Sequence, residues 1–85
     1  MTSIESRIKR VKFRANHRGT KEMDIVLGRY AEAEADGMSE DRLAVLEELL
    51  ALPDPEIDQW VKGGEPPPGV AGLISEIRRF HRLES

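Results

Sequence analysis

The chain has 85 residues, no cysteine and a formal net charge of −3. That length allows one small domain and argues against a large enclosed active-site cavity. The missing cysteines exclude disulfides, thiolate nucleophiles and cysteine metal sites, and fit a reducing cytoplasm, the expected location.

Charge is segregated along the chain. Residues 1–21 carry seven cations against Glu5 alone, a net +6. Residues 22–65 carry thirteen carboxylates against Arg29, Arg42 and Lys62, a net −10. The remainder is +1. Such asymmetry suggests one surface suited to a charged partner. No apolar run reaches bilayer length and the N-terminus lacks the apolar core of a signal peptide, so no membrane insertion is expected.

The periodicity predicts five helices and no strand: an all-α, compact five-helix bundle forming a single small domain over residues 1–85. Ile4, Ile8 and Val11, with Ala15 beyond, place helix one at about residues 3–14, with Thr2 or Ser3 as N-cap. Met23, Val26, Leu27 and Tyr30 give helix two, about 20–36. Gly28 inside it weakens the helix by roughly 1 kcal/mol relative to alanine and points to a close helix–helix approach. Gly37 suits a left-handed C-terminal position, and Ser39 an N-cap.

Leu43, Leu46, Leu49 and Leu50 stripe helix three, about 40–51. In "PDPE", Asp54 reads as N-cap and Pro55 as the first residue of helix four, about 54–62. "GGEPPPG" is a stiff connector without PxxP spacing. Val70, Leu73, Ile74, Ile77 and Phe80 stripe helix five, about 70–83.

Enzyme signals are absent. The chain has no GxGxxG after a strand, no GxxxxGK[ST], no HExxH and no strand for a nucleophile elbow. His17 and His81 are far apart in sequence, lack carboxylates at ligand spacing, and read as solvent-exposed rather than metal-binding. Glu22 and Asp24, two apart on a helix, point in roughly opposite directions and do not make a catalytic pair. The chain is therefore expected not to be a catalyst, and to hold no metal and no firmly bound cofactor.

The basic first helix supports a nucleic-acid reading, with Arg7, Lys9, Arg10, Lys12 and Arg14 around its circumference and Phe13 free to stack. The acidic remainder would repel phosphates, so a solvated face or one docking on an acidic protein surface is better supported.

The segment "NHRGTKEMD", residues 16–24, has two readings. As a helix start, Gly19 is N-cap and Glu22 reaches back to its amide, with Arg18 pairing weakly with Glu22 across solvent. As a working surface, the glycine lets another backbone approach and free amides invite an anionic group.

The pattern over residues 10–61 resembles the FAD assembly factors of succinate dehydrogenase, also called flavinators. Their hallmark is Arg-Gly-x-x-Glu followed by aspartate, here Arg18, Gly19, Glu22 and Asp24. "LGRY" at Leu27–Tyr30, the double-leucine helix and "DPEIDQW" at Asp54–Trp60 agree with it. The resemblance implies a five-helix domain that binds the flavoprotein subunit of succinate dehydrogenase, and in some bacteria fumarate reductase. It implies promotion of covalent FAD attachment to a histidine of that subunit by the flavoprotein's own chemistry. The small protein would then be an assembly chaperone. Apart from the resemblance, the chain is expected to be a monomer when free, with pairing through an apolar strip as the alternative, and to act without membrane insertion or nucleic acid. Arg18, Gly19 and Glu22 are the implied contact residues, with Arg14 and His17 beside them, while Asp24 divides between contact and structure. Many relatives carry tryptophan two residues before the motif arginine. Here Asn16 stands there, so an aromatic contact is missing or supplied by Phe13.

Overall fold

The computed structural model describes residues 3–82. Among them are five α-helices: α1 Ile4–Asn16, α2 Lys21–Glu34, α3 Glu40–Leu50, α4 Asp54–Val61 and α5 Pro68–Phe80. No strand occurs among the described residues. The alternative cap Thr2 and the expected end of helix five at residue 83 lie outside them.

Local chemistry fixes the starts. Ser3 Oγ accepts from the Ser6 amide at 3.1 Å and Ser39 Oγ from the Arg42 amide at 3.2 Å, each satisfying one of the donors a helix start leaves free. Two starts differ from expectation. Thr20, not Gly19, caps α2, its Oγ1 accepting from the Met23 amide at 3.3 Å. Pro53 occupies the cap position of α4, because the Asp54 carboxylate is engaged elsewhere.

The end of α2 also differs. Gly37 is not left-handed: the chain tightens into a 3₁₀ turn, Ala35–Gly37, and leaves it through Met38 in extended conformation. The buried Ala35 and Met38 hold this turn against the core, so no left-handed residue is needed.

The stripes read from the sequence meet in one core. Val11, Ala15, Leu27, Tyr30, Leu43, Leu46, Leu49, Ile57, Ile74 and Ile77 are almost wholly buried. No charged or polar residue is buried with them among the described residues. Helix α1 packs most extensively on α2. Gly28 lies at that crossing: a Cβ there would sit 2.9 Å from Asn16 Cγ, an overlap. The Asn16 amide fills this gap, donating to Lys12 O at 2.8 Å and Glu32 Oε2 at 3.2 Å. The radius of gyration, 12.0 Å, is that of a well-packed chain of this size.

Ion pairs tie the helices at their rims. Arg7 clamps Glu47 of α3 at 2.7 and 3.1 Å, and Lys12 reaches Asp36 at 2.8 Å. The Arg7 guanidinium holds the Glu47 carboxyl below its ordinary range. His81 is not solvent-exposed as expected. It is half-buried, with Nε2 2.8 Å from the Val26 carbonyl oxygen.

Candidate functional site

The link between α1 and α2 is four residues, His17 to Thr20. Its shape is set from both sides. The Arg18 amide donates to Asp24 Oδ1 at 2.6 Å, so the half-buried Asp24 ties the turn to the first turn of α2. Gly19 then takes φ +106°, a conformation that L side chains rarely adopt. The reversal brings Thr20 to its capping position.

Arg18 turns inward. Its Nε and Nη2 donate to Asp54 Oδ1 at 2.9 and 2.6 Å, Nη1 to Leu50 O at 2.9 Å and Nη2 to Leu52 O at 3.3 Å. The side chain is 10% exposed. The helix α3 end leaves carbonyls unpaired and carries partial negative charge, while the α4 start favours a carboxylate. One planar guanidinium serves both, which an ammonium cannot do in the same geometry. The expected Arg18–Glu22 pair is not formed: the carboxylate held by Arg18 is Asp54, which has its helix-dipole position and partial burial in its favour.

Glu22 instead faces Lys62, the residue that caps the end of α4, across solvent at 3.3 Å. Lys62 also meets Asp58 of α4, four residues earlier, at 3.1 Å. Both carboxylates raise the Lys62 ammonium above its ordinary range, Asp58 more than Glu22. Between α2 and α4 runs an open groove of about 590 Å³, lined by Gly19, Glu22 and Met23 on one side and by Pro55, Asp58 and Lys62 on the other. A Cβ built on Gly19 would meet nothing within 4 Å. The glycine therefore leaves open space beside the groove rather than relieving an internal clash.

The motif residues thus separate by role. Gly19 and Glu22 are exposed at the groove, and Arg18 and Asp24 build the turn that presents them. Arg14 and His17 are exposed on the last turn of α1 and its cap, outside the groove lining. The α4 wall, Pro55, Asp58 and Lys62, was not singled out as site residues. The Asp58–Lys62 i,i+4 spacing is its sequence trace. Among the described residues no group of three or more His, Asp or Glu is placed to hold a metal, and no helix is long and apolar enough to cross a membrane.

The fold and groove define a small helical domain with an open, mixed-charge recess instead of an enclosed pocket. The family described as "Flavinator of succinate dehydrogenase" matches residues 9–81, and the chain belongs to it. The "FAD assembly factor SdhE" of Acetobacter pasteurianus is 47% identical over 66 residues, 78% of this chain and 61% of that protein. "Succinate dehydrogenase assembly factor 2, mitochondrial" of Arabidopsis thaliana is 34% identical over 61 residues, 72% of this chain and 32% of that protein. A second "FAD assembly factor SdhE", from Legionella pneumophila, is 36% identical over 50 residues, 59% of this chain and 63% of that protein. The chain thus spans about three-fifths of its bacterial relatives and one-third of the plant one. No solved structure matches.

Proposed function

We propose that this protein is an assembly factor: it binds the flavoprotein subunit of succinate dehydrogenase in the cytoplasm and promotes covalent attachment of FAD to it. The flavoprotein of fumarate reductase is a second client of the same chemistry. The protein acts as a monomer that shapes its partner, and the bond to FAD forms by the flavoprotein's own groups.

The observation that carries this reading is the geometry at Gly19. The family's hallmark glycine stands exposed, in a left-handed conformation, with open space where a side chain would project. A cap needs no such space, since Thr20 already supplies it. A partner backbone approaching the groove does need it. Glu22 and Lys62 then offer one carboxylate and one ammonium at its rim, each only loosely held by the other. The names of the relatives, FAD assembly factor and succinate dehydrogenase assembly factor, supply the client.

The test is in-gel flavin fluorescence of the denatured flavoprotein subunit produced with and without this chain. Fluorescence that depends on the chain is expected. Equal fluorescence in the two samples would refute the assembly role.

A further inference from the structure

Helix α1 carries an exposed aromatic feature that the core does not use. Phe13 is 63% exposed and stacks on His17, with ring centroids 4.0 Å apart and planes 19° from parallel. His17 Nδ1 lies 2.7 Å from the Phe13 carbonyl oxygen. A carbonyl only accepts, so Nδ1 carries the hydrogen and the imidazole is held in place over the phenyl ring. Leaving a large ring in water is unfavourable, and here it is also prearranged.

The cations of α1 are sorted around this stack. Arg7 and Lys12 are taken by Glu47 and Asp36. Arg10 and Arg14 share the helix face of Phe13 and His17 by their i, i+3, i+4, i+7 spacing. Both are exposed, and neither is in an ion pair among the described residues. Glu47 is the carboxylate whose titration they influence, and Arg7 already clamps it. The face therefore presents an aromatic platform beside two guanidinium groups that are in no ion pair among the described residues.

Outside the groove lining but close to it in the chain, His17 is two residues from Gly19, at most about 7 Å away. A standard interface buries about 800 Å² per partner, a patch reaching about 16 Å from its centre. A partner protein seated at Gly19 therefore has His17 and Phe13 within its reach. An extended phosphate backbone would run past this face onto a domain whose residues 22–65 carry a net −10, whereas a protein needs to bring only a few carboxylates to it. These constraints favour a protein.

We infer that the Arg10–Phe13–Arg14–His17 face is a second contact surface for the same flavoprotein, taking an apolar or planar side chain ringed by carboxylates. The inference rests on the assembly-factor reading. Exposed, prearranged aromatics flanked by arginine are the composition of binding hot spots, because they bury area at small entropic cost.

The experiment measures affinity of the full-length chain for the purified flavoprotein subunit, with wild type, Phe13→Ala, Phe13→Trp, the Arg10→Gln/Arg14→Gln pair and Gly19→Arg. Phe13→Ala is expected to weaken binding at least about tenfold at unchanged melting temperature, with Phe13→Trp restoring it. The double glutamine variant is expected to slow association and flatten its salt dependence. If Phe13→Ala binds as wild type while Gly19→Arg does not, the groove stands and this face is not part of the interface. If wild type does not bind at all, the assembly reading fails and this inference with it. Tighter binding of a labelled oligonucleotide, or a self-association in sedimentation, either one abolished by Phe13→Ala, would assign the face to nucleic acid or to a second copy and overturn it.

Discussion

Arg18 and Asp54 join the motif turn to the start of α4 through two contacts, at 2.6 and 2.9 Å, from one guanidinium to one carboxylate oxygen. The motif arginine is thereby a structural member of the groove whose glycine and glutamate face outward. Arg18→Lys keeps the charge but loses the fork, leaving carbonyls of Leu50 or Leu52 unpaired. A loss of about 2–3 kcal/mol in urea unfolding is expected, with Asp54→Ala similar, because removing one partner strands the other. Unchanged stability in both variants would mean that Arg18 is free to serve the partner directly.

Glu22 and Lys62 are expected to behave in the opposite way. Their pair is long and about 60% exposed on both sides, so it stabilises the fold by less than about 1 kcal/mol. Nor does Glu22 close a capping box, since Thr20 holds the cap. Glu22→Ala should therefore unfold nearly as wild type while losing most flavinylation, read by denaturation and flavin fluorescence on the same preparation. Parallel loss of stability and activity would return Glu22 to a role in the helix start.

The α1–α2 crossing allows a test by repair. Gly28→Ala adds helix propensity of about 1 kcal/mol but forces its methyl into Asn16. Moving Asn16 aside breaks its bonds to Lys12 and Glu32. The single variant should be less stable than wild type by about 1 kcal/mol or more, and adding Asn16→Ala should recover part of that loss. A Gly28→Ala variant as stable as wild type would show that the contact at Asn16 is loose.

Two titrations follow from the rim contacts. Burial and a hydrogen bond to Glu76 at 2.8 Å raise the phenol of Tyr30, the single tyrosine, above its ordinary 10.0. A raised acid favours the protonated folded form. Its contribution is therefore complete below pH 10.0 and lost as pH rises through the folded value. Tyrosinate absorbance should appear only well above that pH, with unfolding close behind. Glu47 has the other sign. Its carboxyl lies below the ordinary 4.5, so the Arg7–Glu47 contribution is complete above that pH and fades as pH falls below it. Glu47→Gln should flatten the acid limb of the stability profile. An ordinary tyrosinate onset, or an acid limb unchanged by Glu47→Gln, would contradict these assignments.

The helices were legible because apolar spacing alone marks them: Leu43, Leu46, Leu49 and Leu50 fall on one face whatever follows. Gly28 was legible for a similar reason, since glycine in a helix interior has few uses besides close approach. The site was legible only in part. Spacing brings Gly19 and Glu22 together, but the partner of Arg18 lies 36 residues away and no local pattern indicates Asp54. The cap moved from Gly19 to Thr20 because the glycine was taken up by the chain reversal, a demand set by Asp24 and the Arg18 amide. Gly37 misled because burial of Ala35 and Met38 closes α2 without a left-handed residue.

The most direct measurement compares Gly19→Ala with Gly19→Arg. Both place a side chain on a backbone with φ +106°, so both should lose a similar 1–3 kcal/mol of stability. Neither Cβ meets the protein itself. Alanine adds one methyl to the space a partner backbone needs, whereas arginine fills that space and projects beyond it. Covalent flavinylation of the succinate dehydrogenase flavoprotein, scored by in-gel fluorescence at matched folded concentration, should be reduced by Gly19→Ala and abolished by Gly19→Arg. Normal flavinylation with Gly19→Arg would contradict the groove as the docking surface.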